Sequence, residues 1–412
     1  MTGYFDSPWP GEDGGPARLA IPQHAAAFGL KPDEMLRSIS RSKFFSTMTV
    51  LGAPGEVYLL SHSALRAKIG LATTAQVERV DPDTLETIER SPRLAGGPMW
   101  PGGMAVHRNG SLYVVYGRFA HRLDRNCRLT GSLELPVNQP HNGFVILDTG
   151  LLVTKNLSDR HHAILSVIDP DTMQQVHTPL EVPEPSVARL SSDGEVVYVV
   201  GTRSVFRYVW GEKAGLARDP TWVFNYAAGT QQTHGWDMVL DGANAWFMDN
   251  GHHRYRTNMF RAGVSQSANR LIRVSLQDAG DNEVIDVSGL PGGSITNPPV
   301  VDVGRRIVVG FDSANKVMRA WRFGGGHLEP LWEKSGIGCA SHMVLFPDTG
   351  ELVTNDFGTG GEHVVVLDIE TGAERGRTCI GGLMQGVVFP SVGWNRDLYW
   401  CSMSKVARVF ID

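Results

Sequence analysis

The chain has 412 residues, 42% of them hydrophobic and 20% charged, with a formal net charge of −5. This composition is typical of a globular protein with an ample core, and the mildly acidic charge argues against nucleic acid as the main partner. The cysteines form no CxxC pair, which argues against a disulfide framework and a zinc ribbon. They are Cys127, Cys339, Cys379 and Cys401.

The sequence shows no pattern of a targeting or membrane-spanning element. The first residues, from Met1 to Pro8, lack the basic patch and apolar run of a signal peptide. No run approaches the roughly 18 continuous apolar residues of a membrane-spanning helix. Scattered thiols also suit a reducing compartment. The sequence therefore predicts a cytoplasmic protein without a membrane partner.

Residues 1–43 are interpreted as an N-terminal extension. This segment is at first rich in proline and glycine. Residues 32–39 are then a candidate short helix, because Pro32 followed by Asp33 and Glu34 suits a first helical turn. Residues 17–21 are a candidate β-strand, whose role depends on the repeats that follow.

From residue 44 to residue 412 the chain consists of short runs of Val, Tyr, Leu and Ile separated by turn residues. In the first unit these runs are residues 48–51, 57–60, 77–80 and 85–88. The turn before the last run has the form Asp-x-x-Thr, and it recurs in two later units. Its three copies are residues 81–84, 169–172 and 368–371. The recurrence indicates an internal repeat.

We count about eight units of roughly 40 to 50 residues, each with four short antiparallel strands, a period typical of β-propeller blades. Sustained helical periodicity is nearly absent, which argues against an α/β fold. The sequence therefore predicts an all-β protein, a single β-propeller over residues 44–412, with eight blades and seven as the alternative. The last unit has only three strands. We expect an N-terminal strand, with residues 17–21 as the candidate, to close the ring.

A histidine precedes the first strand of three units, at His141, His234 and His342. By our count these are the third, fifth and seventh units, so the histidines would face one channel from alternate blades. Imidazole suits zinc, iron and copper, and three histidines leave a position for water or substrate. We therefore predict a divalent metal ion (zinc, iron, copper or manganese) held by these residues, with His62 as a candidate fourth ligand.

Two alternatives remain for these histidines. Each could be a structural residue at the start of a strand. They could also form a metal-free site, in which one histidine is a general base and a second polarises the substrate.

Other polar and aromatic residues occupy the same predicted face of the propeller. Asp237 follows His234 by three residues, so it is a candidate base or imidazole partner, with a turn cap as the alternative. Several other residues could contact substrate, or could instead satisfy loop backbone or fill the core. They are Trp100, Asn142, Trp236, Asn250, Asn297 and Gln385.

The longest insertion follows the second strand of the fifth unit, at residues 251–261. His252 and His253 are candidate catalytic residues there. Arg254 and Arg256 are candidate clamps for a substrate carboxylate or phosphate. A solvated loop or an oligomer contact is the alternative.

Several local patterns are shared with known propellers: Asn142-Gly143 with the turn 148–150, Asp241-Gly242 with Trp246, and residues 365–368 with Thr371-Gly372. In these features the chain resembles the broad superfamily of gluconolactonase/SMP-30, strictosidine-synthase-like and PQQ-repeat propellers. The resemblance implies the fold. Histidine ligands on propeller blades are similar in architecture to the four-histidine iron site of carotenoid cleavage oxygenases.

The predicted function is that of a metal-dependent lyase or hydrolase acting on a small metabolite in the propeller funnel, an anionic one if the arginines contact it. The alternative with the same ligands is a non-haem iron or copper oxygenase. A third hypothesis, from a different class, is a non-catalytic propeller whose face binds a protein partner.

Overall fold

The computed structural model of the chain describes residues 3–24, 28–251, 267–387 and 389–412. These residues form eight antiparallel sheets, of which seven have four strands and one has five. The first strands of neighbouring sheets contact one another around a central channel. The protein is therefore an all-β propeller of eight blades, as the sequence predicts, and the seven-bladed alternative is wrong.

The blades are numbered in chain order, and the first strand of each, next to the channel, is called its inner strand. Blade 1 consists of Ser46–Leu51, Val57–His62, Thr73–Val80 and Thr87–Arg90, with Leu94–Gly97 beside the third strand. Blade 2 consists of Gly103–Val106, Leu112–Tyr116, Phe119–Leu123 and Leu129–Glu134. Blade 3 consists of His141–Ile146, Leu152–Asn156, Ile164–Asp169 and Gln174–Glu181. Blade 4 consists of Ser191–Asp193, Val196–Val200, Val205–Gly211 and Gly215–Phe224.

The second half of the ring repeats this plan. Blade 5 consists of Val239–Leu240, Asn244–Met248, Arg270–Ser275 and Asn282–Asp286. Blade 6 consists of Val300–Asp302, Ile307–Asp312, Val317–Arg322 and Glu329–Ser335. Blade 7 consists of Val344–Phe346, Glu351–Gly358, Gly361–Asp368 and Glu374–Gly381. Blade 8 consists of Ser391–Val392, Asp397–Cys401, Lys405–Ile411 and the N-terminal strand Leu36–Ser42. The helices described are the 3₁₀ turn Glu12–Gly14 and the α-helix Ala64–Lys68.

Burial follows the distance of each strand from the channel. The inner strand Ser46–Leu51 is buried at every position, because it lies between the channel and its neighbours on both faces. The outer strand Gln174–Glu181 is mostly exposed or half-buried. This gradient explains why the inner runs read as nearly continuous apolar sequence. No helix in the described ranges is long and apolar enough to cross a membrane.

The repeated Asp-x-x-Thr turns join the third and fourth strands of their blades. In blade 1 the Asp81 Oδ1 atom accepts hydrogen bonds from the backbone N–H groups of Asp83 and Thr84, at 3.0 and 2.8 Å. Asp169 and Asp368 accept the same pair of bonds in blades 3 and 7. A short carboxylate that bonds its own turn fixes the chain reversal locally. Because the aspartate and its partners lie within four residues, the repeated turn can be recognised in the sequence.

An N-terminal strand closes the ring, but it is not the predicted segment. Leu36–Ser42 pairs antiparallel with Lys405–Ile411, from Leu36 opposite Ile411 to Ser42 opposite Lys405. Residues 17–21 form no strand. The helix predicted over residues 32–39 is wrong, because pairing with the far end of the chain outweighs the local helical signal of the Pro32 turn.

Candidate functional site: the channel and its funnel

Residues 3–24, here called the plug, cross the end of the channel at which the inner strands finish. Backbone N–H groups at the ends of five inner strands donate hydrogen bonds of 2.7–2.9 Å to plug carbonyls. The pairs are Leu51 to Trp9, Val106 to Pro10, Ser192 to Pro16, Leu240 to Ala17 and Leu345 to Ala20. The plug therefore ties blades 1, 2, 4, 5 and 7 together and closes one end of the channel.

Three charged side chains of the plug lie inside the channel. Arg18 donates one hydrogen bond of 2.8 Å to Glu12 and another of 2.8 Å to Asp13. Its Nε atom also donates to the carbonyl of Leu190 on blade 4, at 2.9 Å. Glu12, Asp13 and Arg18 are all buried. The arginine thus joins two carboxylates of its own segment to a blade.

The blades supply the rest of this charged cluster. His342 Nδ1 donates a hydrogen bond of 2.7 Å to Asp13 Oδ1. Asp237 Oδ1 accepts one of 2.7 Å from the backbone N–H of Arg189. The Arg189 guanidinium lies 3.2 Å from Glu12 and 3.7 Å from Asp237. The plug and blades 4, 5 and 7 therefore meet in one buried network, which we call the channel cluster.

The environment of the channel cluster shifts the pKa values of its members. Burial raises the pKa of Glu12, although Arg189 and Arg18 oppose the shift. Burial alone would raise the pKa of Asp13 too, but His342 and Arg18 outweigh it and hold that pKa below its usual value. Burial lowers the pKa of Lys155, which lies nearby on blade 3, to about 7. The guanidinium groups of Arg18 and Arg189 thus oppose the effect of burial on the carboxylates of the plug. With a pKa of about 7, Lys155 is only partly charged at neutral pH.

Two glycines make room for the Glu12 side chain. A Cβ atom at Gly103, which begins the inner strand of blade 2, would overlap the Glu12 Oε1 atom. At Gly143 on blade 3 it would lie 2.7 Å from the same oxygen. The strand backbones can approach this carboxylate closely because neither residue carries a side chain.

The structure places the three predicted histidines on blades 3, 5 and 7, as their spacing indicates. Among the described residues, the group of three potential metal ligands whose ligand atoms all lie within 4.8 Å of one another consists of Asp13, Asp237 and His342. His141 and His234 are outside this group. The geometry thus combines His342 with two carboxylates, one of them from the plug, and a single ion held by all three histidines stays a prediction.

The remaining histidines have different surroundings. His141 Nδ1 donates to the carbonyl of Gly117 at 2.8 Å, and burial lowers the pKa of His141 to about 4. His234 is buried and contacts the Trp236 ring edge-on, with 5.6 Å between ring centroids. His62 lies at the end of the second strand of blade 1, away from the channel cluster. Burial lowers the pKa of His62 to about 4.

The predicted amides join neighbouring blades. Asn142 donates to the carbonyl of Val187 at 2.9 Å, from blade 3 towards blade 4. Gln385 and Asn297 donate to the carbonyls of Gly338 and Ala340 before blade 7. Asn250 accepts a bond of 2.7 Å from the Ile295 N–H. These bonds satisfy loop backbone, which was the alternative to substrate binding for this set.

A funnel opens at the other end of the channel, where the inner strands begin. It is a cavity of about 830 Å³ with mainly apolar walls. Trp100 and Trp236 both lie in its wall, as their positions in the sequence predict. The side chains of Asn297 and Gln385 also line it. The amides therefore combine a structural hydrogen bond with a place on the cavity surface.

Phe389 lies between the funnel and His342 of the channel cluster. The Arg189 guanidinium lies 4.4 Å from the centre of its ring, and the His342 ring centroid lies 3.9 Å from it. Phe389 and Arg189 line the cavity, whereas His342 is only 1% exposed. The floor of the funnel is thus an aromatic ring backed by charged groups.

Part of the predicted site lies outside the described residues. This part comprises His252, His253, Arg254 and Arg256. Sequence reasoning missed Glu12, Asp13, Arg18 and Arg189. For the first three, the signal available was the occurrence of acidic and basic residues in the otherwise proline- and glycine-rich first 20 positions, but nothing local ties these residues to Arg189, Asp237 or His342.

Comparison with family models and with curated proteins gives no match. The structure is similar to solved propellers, among them a europium-containing methanol dehydrogenase, with a TM-score of 0.59 and 10% identity over 95% of this chain and 88% of that one. BamB from Moraxella catarrhalis gives a TM-score of 0.56 and 14% identity over 91% of this chain and 100% of its own. Sqt1 from Chaetomium thermophilum gives 0.56 and 10% over 93% and 99%. At these identities the likeness shows the fold alone.

Proposed function

We propose that the protein binds a small, mainly apolar molecule in the funnel. The observation that carries this proposal is the cavity of about 830 Å³ with its mainly apolar walls. Ligand sites in proteins are commonly apolar concavities of about 300–1,000 Å³ with a few polar groups that fix orientation. The indole rings of Trp100 and Trp236 offer flat apolar surfaces for such a ligand.

The mouth of the funnel supports the same assignment. Leu383 is 81% exposed and Leu65 is 60% exposed, and both line the cavity. Exposed apolar side chains that form a patch at the edge of a concavity are typical of a ligand-binding groove. Burying them against a ligand would contribute favourably, by about 25 cal/mol for each Å² of apolar surface covered.

A binding assay with Nile red, a neutral apolar dye, tests the proposal. Ala67 is exposed and lines the funnel, so Ala67→Trp places an indole in the mouth. We expect this variant to weaken dye binding by about tenfold or more, which corresponds to about 1.4 kcal/mol. Ala214→Trp, at an exposed site on the outer hairpin of blade 4, is the matched control and should bind as the parent does. Equal affinity in both variants, or no dye binding at all, would contradict the proposal.

Metal-dependent chemistry at the channel cluster is the second candidate function, with a lyase, hydrolase or oxygenase reaction. It is favoured by the grouping of Asp13, Asp237 and His342, since one imidazole and two carboxylates suit zinc, iron or manganese. The His342 Nε2 and Asp237 Oδ2 atoms are buried without a hydrogen-bond partner in the described structure. Against it, Arg18 already lies 2.8 Å from Asp13 and 3.8 Å from Asp237, so a cation would compete with a guanidinium.

Elemental analysis distinguishes the two candidates. If the cluster holds a metal, the purified protein contains close to one ion per chain, and His342→Ala lowers that content. A metal content near zero, unchanged in the variant, would leave the cluster as a purely structural charge network. That result would not bear on the first proposal, which the Nile red assay tests separately.

A further inference from the structure

A second cavity adjoins the funnel at blade 1. It has a volume of about 500 Å³, and its wall carries the basic side chains of Lys43, Arg66 and Arg93. The rest of the wall consists of hydroxyl and amide groups together with two rings, from Ser61, Ser63, Thr74, Gln76, Phe44 and His62. None of the lining residues that the structure describes is acidic. We call this the basic cavity.

The positive charge of the basic cavity is not balanced by its surroundings. Lys43 lies 2.8 Å from Glu78, but that buried carboxylate also pairs with Arg41 and Arg90, at 3.0 and 2.8 Å. One negative charge therefore serves three cations. Arg93 is exposed and makes no ion pair among the described residues. An excess of cations on a concave wall attracts an anion.

His62 connects the basic cavity to the funnel, because its side chain lines both. The ring lies between the rings of Phe45 and Tyr116, with centroid distances of 5.5 and 5.8 Å. His62 is only 7% exposed, and neither of its ring nitrogens has a hydrogen-bond partner in the described structure. Buried polar atoms are normally paired, so an orphaned imidazole between two cavities points to a missing partner.

From this arrangement we infer that the ligand is an amphipathic anion. Its carboxylate, phosphate or sulfate group occupies the basic cavity, and its apolar body passes His62 and fills the funnel. His62 offers the ligand one hydrogen-bond donor and one acceptor. The inference rests on the proposed binding of an apolar molecule in the funnel and specifies the charge and position of its polar end.

The Arg189 guanidinium does not offer an equivalent anion site on the funnel floor. It lies 3.2 Å from Glu12 and 3.7 Å from Asp237, and its Nε atom donates to the carbonyl of Asn142 at 2.8 Å. Its charge is therefore already neutralised by carboxylates of the channel cluster. The cations without a matching carboxylate therefore belong to blade 1 and its helix, where Lys68 lines the funnel and Lys43, Arg66 and Arg93 line the basic cavity.

Competition against Nile red tests the inference with four probes. Octyl phosphate and octanoate carry both a tail and an anionic head, octan-1-ol carries the tail alone, and inorganic phosphate carries the head alone. We expect octyl phosphate or octanoate to displace the dye at concentrations about tenfold below octan-1-ol, the gain of one charge-assisted contact. The better of the two identifies a dianionic or a monoanionic head as the preferred group. Inorganic phosphate alone should leave the dye in place.

Arg93→Gln and Arg93→Glu locate the head. We expect octyl phosphate and octanoate to lose about tenfold in affinity in the first variant and more in the second, while octan-1-ol is unchanged. Arg128→Gln, at an exposed arginine of blade 2 away from both cavities, is the control. Equal displacement by octan-1-ol and the two anions, or an equal loss for all three in Arg93→Gln, would overturn the inference. The proposed function would fail separately, by the absence of Nile red binding.

Discussion

The two ends of the central channel are built from different kinds of surface. At the plug end, Glu12, Asp13 and Arg18 are at most 6% exposed, and inner-strand amides are bonded to plug carbonyls. At the funnel end, apolar side chains such as Leu383 are in water, and the cavity is open. One end of the channel is thus closed by hydrogen bonds and charge pairs. The other end is open and exposes apolar side chains to water.

This difference separates stability from binding. Polar groups buried in the channel must be paired, because an unpaired charge in a water-excluded site is costly. At the plug end Arg18 meets most of this requirement, because it contacts two carboxylates and a blade carbonyl. The His342 Nε2 and Asp237 Oδ2 atoms are exceptions that remain without a hydrogen-bond partner in the described structure. At the funnel end, the ring nitrogens of His62 have no hydrogen-bond partner in the described structure, and the apolar rim is exposed to water. A ligand could supply the hydrogen bonds and cover the rim. We therefore expect changes at the plug to alter folding, and changes at the funnel to alter binding.

The largest expected effect is that of Arg18→Met. Removing the guanidinium leaves Glu12, Asp13 and Asp237 with one arginine fewer in a buried site, and breaking such a network costs about 3–5 kcal/mol. Urea unfolding measures this loss in the free energy of unfolding. Arg128→Met, at an exposed position, should change it by less than about 0.5 kcal/mol. If both variants were equally stable, the channel cluster would not hold the plug.

The blades were predictable from the sequence because their signals are local. Short apolar runs and tight turns act within a few residues, and the three Asp-x-x-Thr turns lie where the repeat predicts them. The blade positions of His141, His234 and His342 followed from the same repeat. The aromatic walls of the funnel were also accessible to this reasoning, because Trp100 and Trp236 precede inner strands.

The plug and the channel cluster were not predictable, because their contacts join distant parts of the chain. Asp13 meets His342 across 329 positions, and no sequence period connects them. The sequence predicts a helix over residues 32–39 for the same reason, since the strand that pairs with Leu36–Ser42 is the last in the chain. Local propensity decides an element only where tertiary contacts do not.

A smaller effect, with a characteristic pH dependence, is expected for Lys155→Met. The folded-state pKa of Lys155 is lowered to about 7 by burial, so between pH 7 and about 10 the unfolded chain binds a proton that the folded chain lacks. Stability of the parent therefore rises with pH in this window, by about 1 kcal/mol per pH unit, and the variant lacks that rise. At pH 7 we expect Lys155→Met to have a larger free energy of unfolding than the parent, because it removes the cost of burying an amine. This difference should shrink towards pH 9.

Urea titrations at pH 7, 8 and 9 measure this trend, with the exposed Lys213→Met as the control. A stability difference that is flat across the three pH values would show that water reaches the channel centre. The plug would then not seal its end, and the contrast between the two ends would be lost.

The smallest effect on folding, and the sharpest test of the contrast, comes from one exposed apolar residue at each end. Leu383 is 81% exposed at the funnel rim, and Val303 is 47% exposed where the inner strand of blade 6 finishes. Leu383→Ser and Val303→Ser should each change the free energy of unfolding by less than about 0.5 kcal/mol. Nile red should bind about threefold more weakly to Leu383→Ser, because the dye covers that side chain, and with parental affinity to Val303→Ser. Equal losses of dye affinity in both variants would mean that Nile red binds exposed apolar surface at either end of the channel, and that the funnel is not a specific binding site.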